Sequence, residues 1–254
     1  MPHNALMSWS GGKDSALALH HALRDPNYQV TQLLTSVNAH YQRVSMHGVR
    51  LELLEAQAQR LGLPLRQLQL PEMPSMADYD QALLATLTDL RQQGIDTAIY
   101  GDIFLEDLRA YREQQLARVP LRGAFPLWQR ASLDVLREFW DLGFQAIVVC
   151  VNDRALDASF CGRLLDRDFV RDLPPGVDPC GENGEYHSFV FDAPYFSQPI
   201  EVVRGELVRR TYQSPTGNVG SGALDDPFAA GFWYCDLLPG GELKIPGRPV
   251  SATT

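Results

Sequence analysis

Apolar positions along the first 150 residues alternate between two rhythms. Short apolar runs, Ala5 to Met7, Val30 to Val37, Leu65 to Leu70, Thr97 to Tyr100 and Phe144 to Val151, read as strands. Between them, apolar residues recur at helical spacing. Ala16, Leu19 and Leu23 mark one helix. Leu51, Leu54, Ala58 and Leu61 mark a second, over 49–61 and ended by Gly62 and Pro64. Tyr79, Leu83, Leu87 and Leu90 mark a third, opened by a Ser75–Asp78 capping pair and stopped at Gly94. Further helices are predicted over 105–119 and 132–142. Repeated strand–helix units require right-handed crossovers, so the sheet is predicted to be mainly parallel and covered on both faces. Ligands of such sheets bind beyond the carboxyl ends of the strands, where strand order reverses.

After Asn152 the rhythm breaks. Residues 154–172 read as an irregular helix. The stretch from Pro174 to Pro179 leads into Cys180-Gly181-Glu182-Asn183-Gly184-Glu185. A strand is predicted at 188–191, and a hairpin from 199–203 and 207–212, turning near Gly205. From Ser214 the chain is rich in Gly and Pro, although Phe232-Trp233-Tyr234 suggests that part of it packs. The expected division is therefore 1–152 for an α/β domain, 153–213 for a smaller α+β domain, and 214–254 for a tail.

Composition narrows the class. The 254 residues are 45% hydrophobic, enough for a proper core, and carry a net charge of -9. A general nucleic-acid binder needs a basic surface, so nucleic acid is disfavoured as the main partner. No apolar run approaches the roughly 20 residues of a membrane span, and the start lacks the plan of a signal peptide. A cytoplasmic location is expected. Cys150, Cys161, Cys180 and Cys235 form no C-x-x-C pair, and at least three of them read as buried free thiols.

The chemistry concentrates in Ser10-Gly11-Gly12-Lys13-Asp14-Ser15, between the first strand and the first helix. Glycines let the backbone approach an anion, and the first helical N–H groups and the helix dipole favour negative charge. Ser10 and Ser15 add hydroxyls and Lys13 a full charge, while Asp14 can hold Mg²⁺ directly or through water. Neither the P-loop nor the Rossmann glycine pattern fits. Gly101-Asp102, at the end of the fourth strand, belongs at the same sheet edge. Asp102 reads equally as a magnesium or substrate ligand and as a cap of the next turn. Asn183-Gly184 is a turn signal, so Glu182 and Glu185 read either as turn residues or as carboxylates that orient ammonium, hold magnesium or act as a base. Cys180 and His187 have the chemistry of a nucleophile and a base, but their spacing does not show that they face each other. His47 precedes a helix start. Trp128 reads as a core or pocket aromatic, and Glu106 as a solvated helix residue.

The first loop resembles the pyrophosphate loop of the N-type ATP pyrophosphatases, the PP-loop superfamily. With Gly101-Asp102-Ile103, Pro126-Leu127-Trp128 and Asp178 through Tyr186 in order, the chain is more specifically similar to the diphthine–ammonia ligase family and its ATP-binding diphthamide-synthesis domain. The resemblance implies a Rossmann-like sheet of the adenine nucleotide alpha hydrolase type, followed by a smaller domain that helps form the substrate pocket. It implies ATP and Mg²⁺, adenylation of a carboxylate with release of pyrophosphate, and coupling of ammonia to give an amide. Lys13, Asp14, Glu182 and Glu185 are then the catalytic candidates, and Ser10 through Ser15 with Gly101 and Asp102 the nucleotide-binding ones. Adenine is expected near residues 33–36.

The second motif departs from the diphthine-modifying pattern. Asn183, His187 and Ser188 stand where that pattern has Gly, Glu and Thr. His187 replaces an acid by a group that can be neutral, and the chain looks more like the bacterial-type members. The acceptor, a small-molecule or protein-borne carboxylate, is left unassigned. Free ammonia is the expected nitrogen donor, since only nine residues precede the loop, and a homo-oligomer is compatible with the sequence. Two alternatives stay open: a tRNA-modifying enzyme using the same loop, and an adenine-nucleotide-binding protein without turnover.

Overall fold

In a computed structural model, residues 1–45, 47–211 and 231–241 are described. The first part alternates β1 (His3–Ser8), α1 (Lys13–Arg24), β2 (Tyr28–Asn38), a two-residue β3 (Arg43–Val44), α2 (Leu51–Leu61), β4 (Leu65–Leu70), α3 (Met76–Gln92), β5 (Thr97–Ile99), α4 (Glu106–Ala117) and β6 (Arg122–Ala124). The parallel strands run in the order β4-β2-β1-β5-β6. The order reverses at β1, so the loops after β1 and β5 flank the crevice where α/β sheets bind ligands. The apolar runs are continuous because both faces are buried. Ala5 and Met7 of β1 enter one core, while Leu6 enters the other, beside Leu87 and Leu90 of α3. The capping box forms as its sequence predicts: Ser75 Oγ accepts from the Asp78 N–H, and the Asp78 carboxylate accepts from the Ser75 N–H.

The second part contains α5 (Ser132–Asp141), β7 (Gln145–Asn152), a 3₁₀ turn at Ala158–Phe160, α6 (Arg167–Arg171), β8 (Tyr186–Asp192), β9 (Val202–Thr211) and β10 (Gly231–Pro239). These four strands make an antiparallel sheet in the order β8-β7-β10-β9. β7 therefore belongs to this sheet and not to the parallel one, although its apolar run suits either. Its bonded neighbours are all later in the chain, and a division at 152 passes through its last residue.

Two local readings are corrected. Residues 154–172 are not one helix. Their apolar residues serve a loop that bridges back to the sheet at Ile147–Leu164 and contains only the 3₁₀ turn and the five-residue α6. The predicted hairpin at Gly205 is one continuous strand, β9, whose partner β10 comes from the region read as a tail. The register shifts between Cys235 and Leu237, opposite Gly205, so that glycine marks a bulge instead of a turn. Tyr212, residues 214–230 and 242–254 lie outside the described residues. The aromatic cluster at 232–234 packs as part of β10.

Gly101, after β5, meets the first turn of α1 so closely that a Cβ would stand 2.7 Å from the Asp14 carbonyl carbon and 2.8 Å from the Ser15 nitrogen. Backbone cannot yield there without moving the phosphate loop. Gly101→Ala is expected to lower stability by about 1–3 kcal/mol in urea unfolding, the usual range for an overpacked site. An unchanged midpoint would show that the strand end and the helix can separate freely.

Candidate active site

The loop between β1 and α1 is shaped by groups from three elements. Gly11 has φ +77, a left-handed conformation that favours glycine, and a Cβ there would lie 2.7 Å from Gln57 Oε1. Its carbonyl accepts from the Val190 N–H of β8 at 2.9 Å and from Gln57 Nε2 of α2 at 3.0 Å. Gln57 is fully buried; it also donates to the Val190 carbonyl and accepts from the Trp9 indole N–H at 2.8 Å. Gly12 lies against β8, where a Cβ would be 2.9 Å from the Ser188 carbonyl oxygen. The Lys13 N–H donates to Ser188 Oγ at 3.2 Å. Gly12 is the N-cap of α1 and offers no side-chain cap. Ser10 Oγ accepts from the Gly12 N–H and bonds Ser15 Oγ.

This loop lines a cleft with Gly101, Asp102 and Arg112 on one side and Glu182, Tyr186, His187 and Ser188 on another. Ser10, Gly12, Lys13, Asp14, Ser15, Gly101, Asp102 and Glu182 are thus brought together, as the sequence predicts, while Gly11 shapes the loop from behind. Lys13 Nζ binds Asp14 Oδ2 at 2.7 Å and lies 5.4 Å from the Tyr186 ring centre. Burial opposes its charge, but Asp14, Cys180 and Glu182 outweigh that and hold its pKa above the usual lysine value. Burial raises the pKa of Asp14 despite Lys13, and Asp178 and Asp102 push in the same direction. Burial is thus the main cause at Asp14, whereas at Lys13 the neighbouring negative groups overcome it. Burial, then Asp14, carries Glu182 up to about 7, against the opposing bond from the Ile103 N–H to its Oε1.

The remaining candidates separate. Asp102 is held on both oxygens by Arg112, at 2.6 and 3.1 Å, and Arg112 lies over the Tyr100 ring. Its carboxylate is thereby committed. Glu185 points away from the cleft wall: its Oε1 accepts from the Asp178 N–H and from Asn183 Nδ2. The Asp178 carboxylate caps the segment, accepting from Cys180 and Glu182 N–H groups and from Ser132 Oγ. Residues 178–185 form a turn that feeds β8, with Gly181 and Gly184 at positive φ, and no strand precedes it. The Cys180 thiol donates to the Ser132 carbonyl, whereas His187 stacks on His47, so the two do not form a nucleophile–base pair. Trp128 lies outside the cleft, against Phe125 and Arg109. Glu106 is exposed.

Sequence reasoning missed Gln57 and Arg112 and gave His47 little weight. Gln57 left a signal: it is a polar residue within the apolar stripe of Leu53, Leu54, Ala58 and Leu61. Arg112 left none, because nothing in sequence relates α4 to Asp102.

Asp14 Oδ1 is buried and has no hydrogen-bond partner among the described residues. No group of three or more His, Cys, Asp or Glu side chains is arranged to hold a metal among the described residues. A single unpartnered carboxylate oxygen of this kind suits a divalent cation such as magnesium, which takes few protein ligands. No helix among the described residues is long and apolar enough to cross a membrane.

Two family profiles match the chain: the diphthamide synthase N-terminal domain over residues 3–122 and the diphthamide synthase C-terminal domain over 131–218. Among similar proteins, the diphthine–ammonia ligase of Homo sapiens is 29% identical over 181 residues, covering 66% of this chain and 67% of that protein. That of Mus musculus is 29% identical over 225 residues, 78% of this chain and 82% of the other. That of Bos taurus is 34% identical over 113 residues, 42% of each.

Gln57→Leu removes partners from the Trp9 N–H and from the Gly11 and Val190 carbonyls at once. It is expected to destabilise by about 2–4 kcal/mol, since buried polar groups left unpaired cost about 1–3 kcal/mol each and part of the loss relaxes. Denaturant unfolding, with ATP affinity measured in parallel, checks this. A stable variant with wild-type affinity would mean that the loop keeps its shape without α2.

Proposed function

Since the chain belongs to the diphthamide synthase family, we infer that it is an ATP-dependent amide ligase, forming a carbon–nitrogen bond between a carboxylate and ammonia. The observation that carries this is the start of α1 behind Ser10–Ser15, which lines one cleft with a carboxylate, Glu182, whose pKa is raised to about 7. A polyanion suits the first group, and proton transfer at physiological pH suits the second. The N-terminal family match ends at the first residue of β6 and the C-terminal one begins just before α5, which favours a domain boundary between 122 and 131, earlier than residue 152.

A carboxylate oxygen is a poor leaving group, so the acceptor must first be activated. The acceptor oxygen attacks the α-phosphorus of ATP, the bond to the β-phosphate oxygen breaks, and pyrophosphate leaves. The Lys13 ammonium and the N-terminal end of α1 are placed to stabilise the charge that collects on the departing oxygens. Magnesium, when bound at Asp14, would neutralise part of the same charge. Ammonia then attacks the acyl carbon and AMP departs. Nitrogen arrives mostly as ammonium; the Glu182 carboxylate takes one proton from it to free ammonia, and the second proton, lost as the amide forms, leaves with AMP or to water. Asp102 and Arg112 fix the cleft wall between β5 and α4. Glu185 supports the turn that presents Glu182.

Lys13→Ala is expected to weaken ATP binding by tenfold or more in calorimetry, in line with the loss of a charge-assisted contact. The turnover assay measures AMP and pyrophosphate from ATP with ammonium and a panel of carboxylates; ADP and phosphate as products would sink the ligase reading. The ionised form of Glu182 is the active one, so kcat/KM should rise with pH through about 7. Glu182→Gln should flatten that limb and lower turnover by roughly 10²–10⁴-fold, the usual worth of a general base. A profile unchanged by the substitution would assign the proton transfer elsewhere.

A further inference from the structure

The cleft wall away from the carboxylates contains two histidines that the ligase mechanism above does not use. The rings of His47 and His187 stack with centroids 4.2 Å apart and planes 29° apart. Both face the cleft beside Ser8, Ser10 and Ser188. Burial lowers the pKa of each; His187 and Lys13 add to the effect at His47, and Lys13 does so at His187. Both rings are therefore neutral at pH 7. A neutral imidazole carries one N–H and one lone pair. His47 Nδ1 is buried and has no hydrogen-bond partner among the described residues. A polar atom in that condition is unfavourable unless a ligand completes it. The neighbouring Lys13 and helix start select an anion, so the tautomer that suits the site has its proton on Nδ1.

His47 reaches the cleft because of its backbone. β2 bonds β4 along one edge over residues 33–38. On its other edge β1 stops at Leu34, and β3 takes the vacated place at Val37 and Asn38. The turn after β3 therefore lies over the end of β1, where the phosphate loop begins. This turn is gripped by β10. The Asp236 carboxylate accepts from Arg43 Nη1 at 2.9 Å and from Arg50 Nε and Nη2 at 3.0 and 2.7 Å. Arg43 Nη1 also donates to the Gly48 carbonyl at 2.7 Å. Gly48 has φ +71 and rests on the Tyr234 ring, where a Cβ would lie 2.6 Å from Cδ1. Residues 231–241 fall outside both matched family segments.

We propose that His47 is a nucleotide-contacting residue, its Nδ1–H donating to a phosphate oxygen of bound ATP, and that Asp236 is the positioning residue that holds it there. This rests on the cleft being the nucleotide site, and the experiment separates the two claims. ATP binding is measured by calorimetry for the wild type, His47→Ala, His47→Asn, Asp236→Asn and Lys13→Ala. Imidazole nitrogen shifts are followed by NMR with and without ATP. His47→Ala should bind ATP about tenfold or more weakly, the loss of one hydrogen bond to a charged group. His47→Asn keeps an N–H near the Nδ1 position and should stay within about threefold of the wild type, on the same reasoning. Wild-type His47 nitrogens should shift when ATP is added. Asp236→Asn should weaken binding and displace the His47 signals even before ATP is added.

Wild-type affinity in His47→Ala, with Lys13→Ala impaired, overturns the role of His47 and leaves the phosphate loop standing. Should His47→Ala fail to fold, unmoved His47 nitrogen signals in the wild type at saturating ATP overturn it equally. Unchanged affinity and His47 signals in Asp236→Asn remove the positioning role. Wild-type affinity in Lys13→Ala would instead overturn the loop assignment itself.

Discussion

One backbone carbonyl ties the phosphate loop to both of its supports. Gly11 accepts a hydrogen bond from Val190 of the antiparallel sheet and another from Gln57 of the helical layer. A loop that must present N–H groups to an anion has to turn its carbonyls away, and each of these needs a donor elsewhere. Gln57 supplies one donor and, with its oxygen, holds Trp9 at the start of the loop. β8 supplies the other and carries Ser188 to the Lys13 N–H. The phosphate loop is therefore not a property of the parallel sheet alone. Its shape is completed by a strand about 180 residues later in the chain, as the 175-residue separation between Lys13 and Ser188 requires.

Charge in the cleft is sorted by wall. Asp14, Asp102 and Glu182 gather around Lys13 and Arg112; the negative groups hold Lys13 charged, while burial first, and neighbouring carboxylates second, lift Asp14 and Glu182 toward protonation. The stacked histidines on another wall are neutral. In the reaction proposed above, a polyanionic nucleotide would meet least repulsion along the neutral wall and the helix start, while ammonium would be drawn to the acidic one. The two substrates of an amide ligase carry opposite charge, and separate walls let each be received without displacing the other.

Much of this was legible in the sequence, for physical reasons. The parallel half is built from local strand–helix units whose periodicities are read directly, and the phosphate loop is contiguous. Ser75–Asp78 closes its capping box because all its partners lie within four residues. Where contacts are non-local, sequence reading failed. β7 has the apolar run of a buried parallel strand, yet its partners are β8 and β10, and pattern alone does not choose between sheets. Gly205 looked like a turn because a glycine between two β-rich runs signals both turns and bulges, and only the partner β10 distinguishes them. Glu182 and Glu185 sit three residues apart in one turn but have different surroundings: one faces Lys13 and the other is tied down by Asp178 and Asn183. Arg112 and Gln57 matter through partners that no spacing rule connects to them.

The grip of Asp236 on Arg43 spans 193 residues. At roughly 5–20 residues per second of synthesis, the second partner appears on the order of ten to forty seconds after the first. During that interval the emerging chain already has its glycine loop and most of its parallel sheet but lacks β8 and β10. The long-range closures come last, and they carry the entropic cost that slows non-local folding. An interrupted chain would keep the most recognisable motif of the protein while lacking a cleft. If the cleft is the nucleotide site, as proposed above, binding there would require nearly the whole polypeptide, because its walls come from both halves of the chain.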